Sequence, residues 1–167
     1  TDLGKDYEHL YIANLVLKLT TDEDVENFEL SSNDAEYGLF DDIVVKIKFK
    51  HRHPTETFAI QLKHISKTAT ILTQLNATQG NFSVKKYNEA FNEKSKVTDP
   101  LVKMVLFTNC RMNTGTQINK FDLGKIIQCK HDSLPRISES TGQCYRLEAN
   151  KDNLDEYKDF FQNFYLC

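Results

Sequence analysis

The chain has 167 residues, 40% hydrophobic and 27% charged, which suits one domain around one buried core and is short for two. Its longest apolar runs, such as Ile43-Val44-Val45 and Met104-Val105-Leu106-Phe107, fall far below the roughly 20 residues of a membrane-spanning helix, so no membrane partner is expected. The formal charge of -3, from 21 Lys and Arg against 24 Asp and Glu, excludes a polybasic tail-like binder and leaves room only for a local basic patch.

In chain order, Tyr7, Leu10, Tyr11, Leu15 and Leu19 recur at spacings of three and four, predicting a helix over Asp6–Leu19 with one buried face and Glu8 near its start. An acidic stretch from Thr21 to Glu36 surrounds Val25, Phe28 and Leu30, which suit a short strand. Strict alternation follows from Asp42 to Lys50, with Ile43, Val45, Ile47 and Phe49 on one face and Asp42, Val44, Lys46 and Lys48 on the other. After a turn at His51–Thr55, Thr57–His64 alternates again, placing Phe58, Ile60 and Leu62 opposite Ala59, Gln61 and Lys63. The two segments predict a hairpin.

A helix is expected from Phe82 or Ser83 to Lys94, since Val84, Tyr87, Ala90 and Phe91 follow an Asn/Ser cap. Lys103–Thr108 reads as a strand covered on both faces. Phe121–Cys129 suits either helix or strand, Cys144–Ala149 a short strand, and Leu154–Leu166 an amphipathic helix through Tyr157, Phe161 and Phe164. The order predicts an α/β fold, a central mixed sheet flanked by helices. The range 1–167 is expected to be a single domain, a fragment of a longer protein with neighbouring domains.

Parity carries the functional reading. Asp42 opens one strand on its non-core face, and Gln61 and Lys63 share the corresponding face of the hairpin partner. An acid, an amide oxygen and a lysine converging on one side of a sheet, with Glu8 arriving from the first helix, suit a hard divalent cation beside a cationic group, the apparatus of phosphodiester hydrolysis.

At these residues the sequence resembles the PD-(D/E)xK nuclease superfamily, and within it the Mrr-like enzymes that read Asp, then Gln-x-Lys. The match is Asp42-Ile43-Val44-Val45 followed by Ala59-Ile60-Gln61-Leu62-Lys63-His64. Together with Gly80-Asn81-Phe82-Ser83-Val84-Lys85-Lys86-Tyr87 and Val105-Leu106-Phe107-Thr108-Asn109, these segments are also similar to an N-terminal domain of large eukaryotic multidomain proteins. The resemblance spans roughly Glu8 to Asn109. It implies a restriction-endonuclease-like sheet and a Mg²⁺- or Mn²⁺-dependent DNA nuclease, with RNA as the alternative substrate and a homodimer as one arrangement. Asp42 would be the principal metal ligand, with Asp41 its rival, and Gln61 would lend its amide oxygen. Lys63 would orient or deprotonate the attacking water, and Glu8 would complete the set. Gln61 in place of the commoner Glu removes a negative charge from the metal seat, which equally suits an inactive pseudonuclease that binds nucleic acid or protein.

Blander readings stand beside these. Asp42 suits a turn or an ion pair with Lys63, Gln61 a cross-strand hydrogen bond, and Glu8 an exposed helix position. Lys46, Lys48, Lys50 and Arg52, and with them Lys85, Lys86, Lys94 and Lys96, suit phosphate contacts or a solvated surface. His51, His53 and His64, and Cys129-x-His131 with Cys144, have no established metal-ligand spacing. The four cysteines form no CxxC pair and read as free thiols in an intracellular compartment, cytoplasmic or nuclear, with Cys129–Cys144 the bond expected under oxidation. Walker, GxGxxG, HExxH and GxSxG motifs are absent.

Overall fold

The computed structural model describes residues 2–52, 54–65, 72–93, 99–110, 121–129, 137 and 143–167. Among them, seven strands form one mixed sheet: β1 (Val25–Ser32), β2 (Ile43–Phe49), β3 (Glu56–Lys63), β4 (Val102–Thr108), β5 (Gly124–Cys129), β6 (Cys144–Ala149) and β7 (Phe164–Leu166). Their spatial order is β1-β2-β3-β4-β7-β6-β5. β1, β2 and β3 are antiparallel neighbours, β3, β4 and β7 run parallel, and β7, β6 and β5 are antiparallel again. The helices are α1 (Asp2–Thr21), α2 (Leu72–Leu75), α3 (Val84–Glu93) and α4 (Leu154–Gln162). This is the expected α/β architecture, a mixed sheet flanked by helices.

The sheet has two cores because its central strands are apolar on both faces. On one side Tyr11, Leu15 and Leu19 of α1 pack over Ile43, Val45, Ile47, Phe58, Ile60 and Val105. On the other, Val44, Ala59, Met104 and Leu106 join Tyr87 and Phe91 of α3 and Phe160 and Phe161 of α4. The β-branched run Ile43-Val44-Val45 suits this doubly covered position. No helix among the described residues is long and apolar enough to cross a membrane.

The predicted β2–β3 hairpin is present, with Val44 opposite Ala59 and Ile43 opposite Ile60. β1, the doubly covered β4, α3 and β6 also lie where expected, and the ambiguous segment before Cys129 is a strand. Ser83 caps α3, its Oγ accepting from Lys86 N–H at 3.2 Å while donating to the Ala77 carbonyl at 2.6 Å.

Three expectations are corrected. α1 is longer than Asp6–Leu19, and Leu10 is 70% exposed: the sheet buries the line Tyr11, Leu15, Leu19 and partly covers Tyr7 and Ile12, and Leu10 is turned away from it on the cylinder. The helix expected over Leu154–Leu166 ends at Gln162, and Phe164–Leu166 forms β7. There the chain satisfies its backbone by joining β4, with Met104 N–H donating to the Asn163 carbonyl at 2.8 Å and Cys167 N–H to the Leu106 carbonyl at 3.0 Å. Cys144 and Cys167 are not free thiols but a disulfide, while Cys110 and Cys129 are free.

Candidate functional site

The loop from β1 to β2 is shaped by its own polar groups. Asn33 is left-handed at φ 54, and Asp34 caps a single 3-10 turn over Ala35–Tyr37 by accepting from Glu36 N–H. Gly38, at φ 65, then turns the chain where a side chain would be strained. Phe40, 1% exposed, is driven into the core against Tyr87 and Phe164, with ring centroids 5.1 and 6.0 Å away. That anchor fixes the next two residues: the Asp41 and Asp42 carbonyls accept from Asp34 and Asn33 N–H at 3.2 and 3.4 Å.

Asp42 stands one residue before β2, and extending the register places it across from Gln61. Gln61, 6% exposed, donates its side-chain Nε2–H to Asp42 Oδ2, and the Leu62 backbone N–H donates to the same oxygen at 2.8 Å. Oδ1 accepts no hydrogen bond among the described residues. One oxygen is thus fixed by protein and the other is open.

The electrostatics tie the remaining predicted residues to Asp42. Its carboxyl lies above the ordinary carboxylate range, chiefly because burial penalises the charge, and the charges of Asp41 and Glu8 push it further. The Leu62 N–H and the Lys63 ammonium oppose that rise. Asp42 therefore feels the charges of two acids and one lysine where β2 begins and β3 ends. Tyr87 of α3 senses the same charge, its phenol raised by burial first and by Asp42 second.

Two features of this end of the sheet have no signature in residue spacing. Asn109 pins the chain beyond Lys63, accepting from Ile65 N–H at 2.9 Å and donating to the Ile65 carbonyl at 2.8 Å. The exposed His64 ring lies on Tyr7 of α1 at 4.7 Å between centroids, tying the helix segment that carries Glu8 to the end of β3. An Asn at a strand end is the only sequence cue for the first, and the second needs the tertiary fold.

The donor set fits a divalent cation in part. An open carboxylate oxygen, two further acids within electrostatic reach and an amide whose rotation exchanges nitrogen for oxygen suit hard-cation chemistry. Against this, Gln61 presents its NH₂ to Asp42 rather than its carbonyl. Among the described residues, no group of three or more His, Cys, Asp or Glu side chains is placed to hold a metal. The fit is thus electrostatic, with Asp42 the one carboxylate set at its centre and the Gln61 oxygen reached by rotation.

The basic residues are partly spoken for. Lys48 forms an ion pair with Glu26 at 3.1 Å, and Glu29 faces Lys46 across the β1–β2 register. Arg52 stacks its guanidinium over Phe49 at 4.2 Å and lies 3.9 Å from Glu56. The acidic stretch around β1 therefore supplies counter-charge to β2. Lys85 and Lys86 are half-buried in the first turn of α3, on the Asp42 side of the sheet. Lys94, Lys96, His53 and His131 lie outside the described residues.

No family model matches the chain, and no curated protein does. A crystal structure of a protein of unknown function, AF1548, is similar at a TM-score of 0.36 and 15% identity, over 91% of this chain and 78% of that one.

Proposed function

We propose that the chain is a nuclease domain of the restriction-endonuclease type, a PD-(D/E)xK relative of the Asp, Gln-x-Lys kind, hydrolysing DNA phosphodiester bonds with Mg²⁺ or Mn²⁺. The observation that carries this reading is the convergence of Asp42, Gln61 and Lys63 at one end of a two-stranded hairpin, with Glu8 and Asp41 close enough to raise the Asp42 carboxyl. A bound divalent cation supplies charge stabilisation at the scissile phosphate and a more acidic water. Asp42 would hold it as the principal ligand, Gln61 would lend its amide oxygen, and Glu8 or Asp41 would complete the oxygen set. Lys63 orients the attacking water and stabilises the extra charge on phosphorus. Lys85 and Lys86, with Lys46, are the phosphate contacts of this reading. An intracellular setting, cytoplasmic or nuclear, goes with a DNA substrate.

The Gln61 hydrogen bond favours a second reading, an inactive pseudonuclease that keeps the fold and binds nucleic acid or protein without cutting. An amide donating to Asp42 already answers the charge that a cation would answer.

Cleavage of supercoiled plasmid and of single-stranded DNA with Mg²⁺ or Mn²⁺ decides between them. The nuclease gives metal-dependent nicking that Lys63→Ala and Asp42→Ala each reduce at least about 100-fold while circular dichroism stays native. A folded wild-type chain that cuts neither substrate leaves the pseudonuclease.

A further inference from the structure

Three of the four cysteines fall on one row across three adjacent strands. Cys129 of β5 is the direct cross-strand partner of Cys144 of β6. Cys144 is bonded to Cys167, which immediately follows β7, with Cα atoms 4.2 Å apart. All three lie on the α1 side of the sheet: Cys144 is buried in that core, and Cys129 and Cys167 pack against it. Directly opposed residues on antiparallel strands have Cα atoms about 4.5–5.5 Å apart, inside the roughly 4.4–6.8 Å that a disulfide spans, so a free thiol sits beside a disulfide within reach of a second pairing.

We propose that Cys129, Cys144 and Cys167 form a thiol–disulfide exchange site, in which the Cys129 thiolate attacks Cys144 Sγ and displaces Cys167. The Cys129–Cys144 bond forms as the Cys144–Cys167 bond breaks. The proton lost by Cys129 to solvent is regained at the Cys167 sulfur, and no external oxidant or reductant is consumed. Burial raises the Cys129 thiol above its ordinary range, and Arg146, two residues beyond Cys144 on the same face, offsets only part of that rise.

The exchange changes which strands are stapled. In the observed state β6 is tied to β7; after it, β6 is tied to β5 and Cys167 carries the free thiol. The Cys167 carbonyl accepts from Thr108 N–H at 2.9 Å, and Thr108 is the β4 partner of Lys63. The released segment therefore borders the strand end that carries the candidate lysine. Cys110, packed on the opposite core, takes no part. The inference does not depend on the nuclease reading.

The test uses the oxidised full chain, incubated without reductant at about pH 8.5 to populate thiolate, quenched in acid, alkylated and digested with trypsin. The three cysteines fall on separate peptides, 126–130, 137–146 and 159–167, so each linkage has its own mass. We expect the Cys144–Cys167 peptide at first and then a growing Cys129–Cys144 peptide, with each loss of alkylation at Cys129 matched by a gain at Cys167 and none at Cys110. Cys129→Ser holds only the original bond, and Cys167→Ser, oxidised, forms Cys129–Cys144. A wild-type chain that keeps the first linkage throughout overturns the proposal. So does a Cys167→Ser chain with native circular dichroism whose Cys129 and Cys144 both remain alkylable, or a new linkage that appears only in denaturant.

Discussion

At the scale of the residue, Asp42 is held at a cost. Burial and the neighbouring charges of Asp41 and Glu8 raise its carboxyl above the ordinary range. Between the unfolded carboxylate pKa and that raised folded value, the native state binds more proton than the unfolded chain, so stability falls as pH rises through the window. Asp42→Asn keeps an oxygen for the Leu62 N–H and removes the charge. We expect a thermal midpoint at pH 7 about 1–3 °C above wild type, with the gap closing below pH 4, measured by scanning calorimetry. An unchanged or lowered midpoint at pH 7 would mean that Lys63 and the Leu62 N–H more than repay the burial. Because a cation needs the ionised carboxylate, any metal-dependent cleavage should also fade on the acid side earlier than an ordinary carboxylate would dictate.

Gln61 gives the complementary experiment. Replacing it with Glu sets a second carboxylate beside Asp42 Oδ2, where the amide now donates, so like charges meet in a half-buried place. In EDTA the Gln61→Glu chain should melt lower than wild type, by about 2–4 °C. With millimolar Mg²⁺ its midpoint should rise more than that of wild type. A Mg²⁺ response no larger than that of wild type would show that the cluster is not a cation seat.

At the scale of the element, the hairpin that bears the site was legible because the parity of Ile43, Val45 and Ile47 against Phe58, Ile60 and Leu62 fixes which side Asp42, Gln61 and Lys63 share. Glu8 was joined to that set as an expectation that no residue spacing supports, since helix α1 comes within electrostatic reach of Asp42 by packing Tyr11, Leu15 and Leu19 on the far side of the sheet. β7 was not legible at all. Phe161 and Phe164 satisfy a helical spacing, and the choice of strand is made by the free edges of β4 and β6, which no local pattern records. The cysteine pairing was misjudged for the same reason, since a partner for Cys144 depends on which strand lies on its other flank. Gly124 carries a signal of a different kind: a Cβ built there meets the Glu148 carbonyl oxygen at 1.8 Å, a backbone atom with nowhere to go. Gly124→Ala should therefore cost about 2–3 kcal/mol in urea unfolding, although alanine is otherwise a mild change. A cost below about 0.5 kcal/mol would mean that the β5–β6 pairing shifts freely at this end.

At the scale of the whole molecule, β7 is the join. The last described strand in sequence lies in the middle of the sheet, and β5 and β6 reach the other four strands only across it. Its side chains serve the core as well as the ladder. Phe164 is fully buried, 4.7 Å from the Phe160 ring and 6.0 Å from that of Phe40, so the same residue supports the α4 core and the loop that positions Asp42. Truncating it should be expensive in both directions. Phe164→Ala is expected to lose about 3–5 kcal/mol, a large share of the roughly 5–15 kcal/mol that keeps a domain folded. Hydrogen exchange shows where that loss falls. If β7 joins the two halves, the amides of β5 and β6 lose protection together with those of β4, and the Leu62 amide that holds Asp42 loosens as Phe40 loses its packing partner. Protection that drops in β4 alone, with β5 and β6 unchanged, would mean that the hairpin folds as a unit of its own and that the seven strands are one sheet in geometry but two in stability.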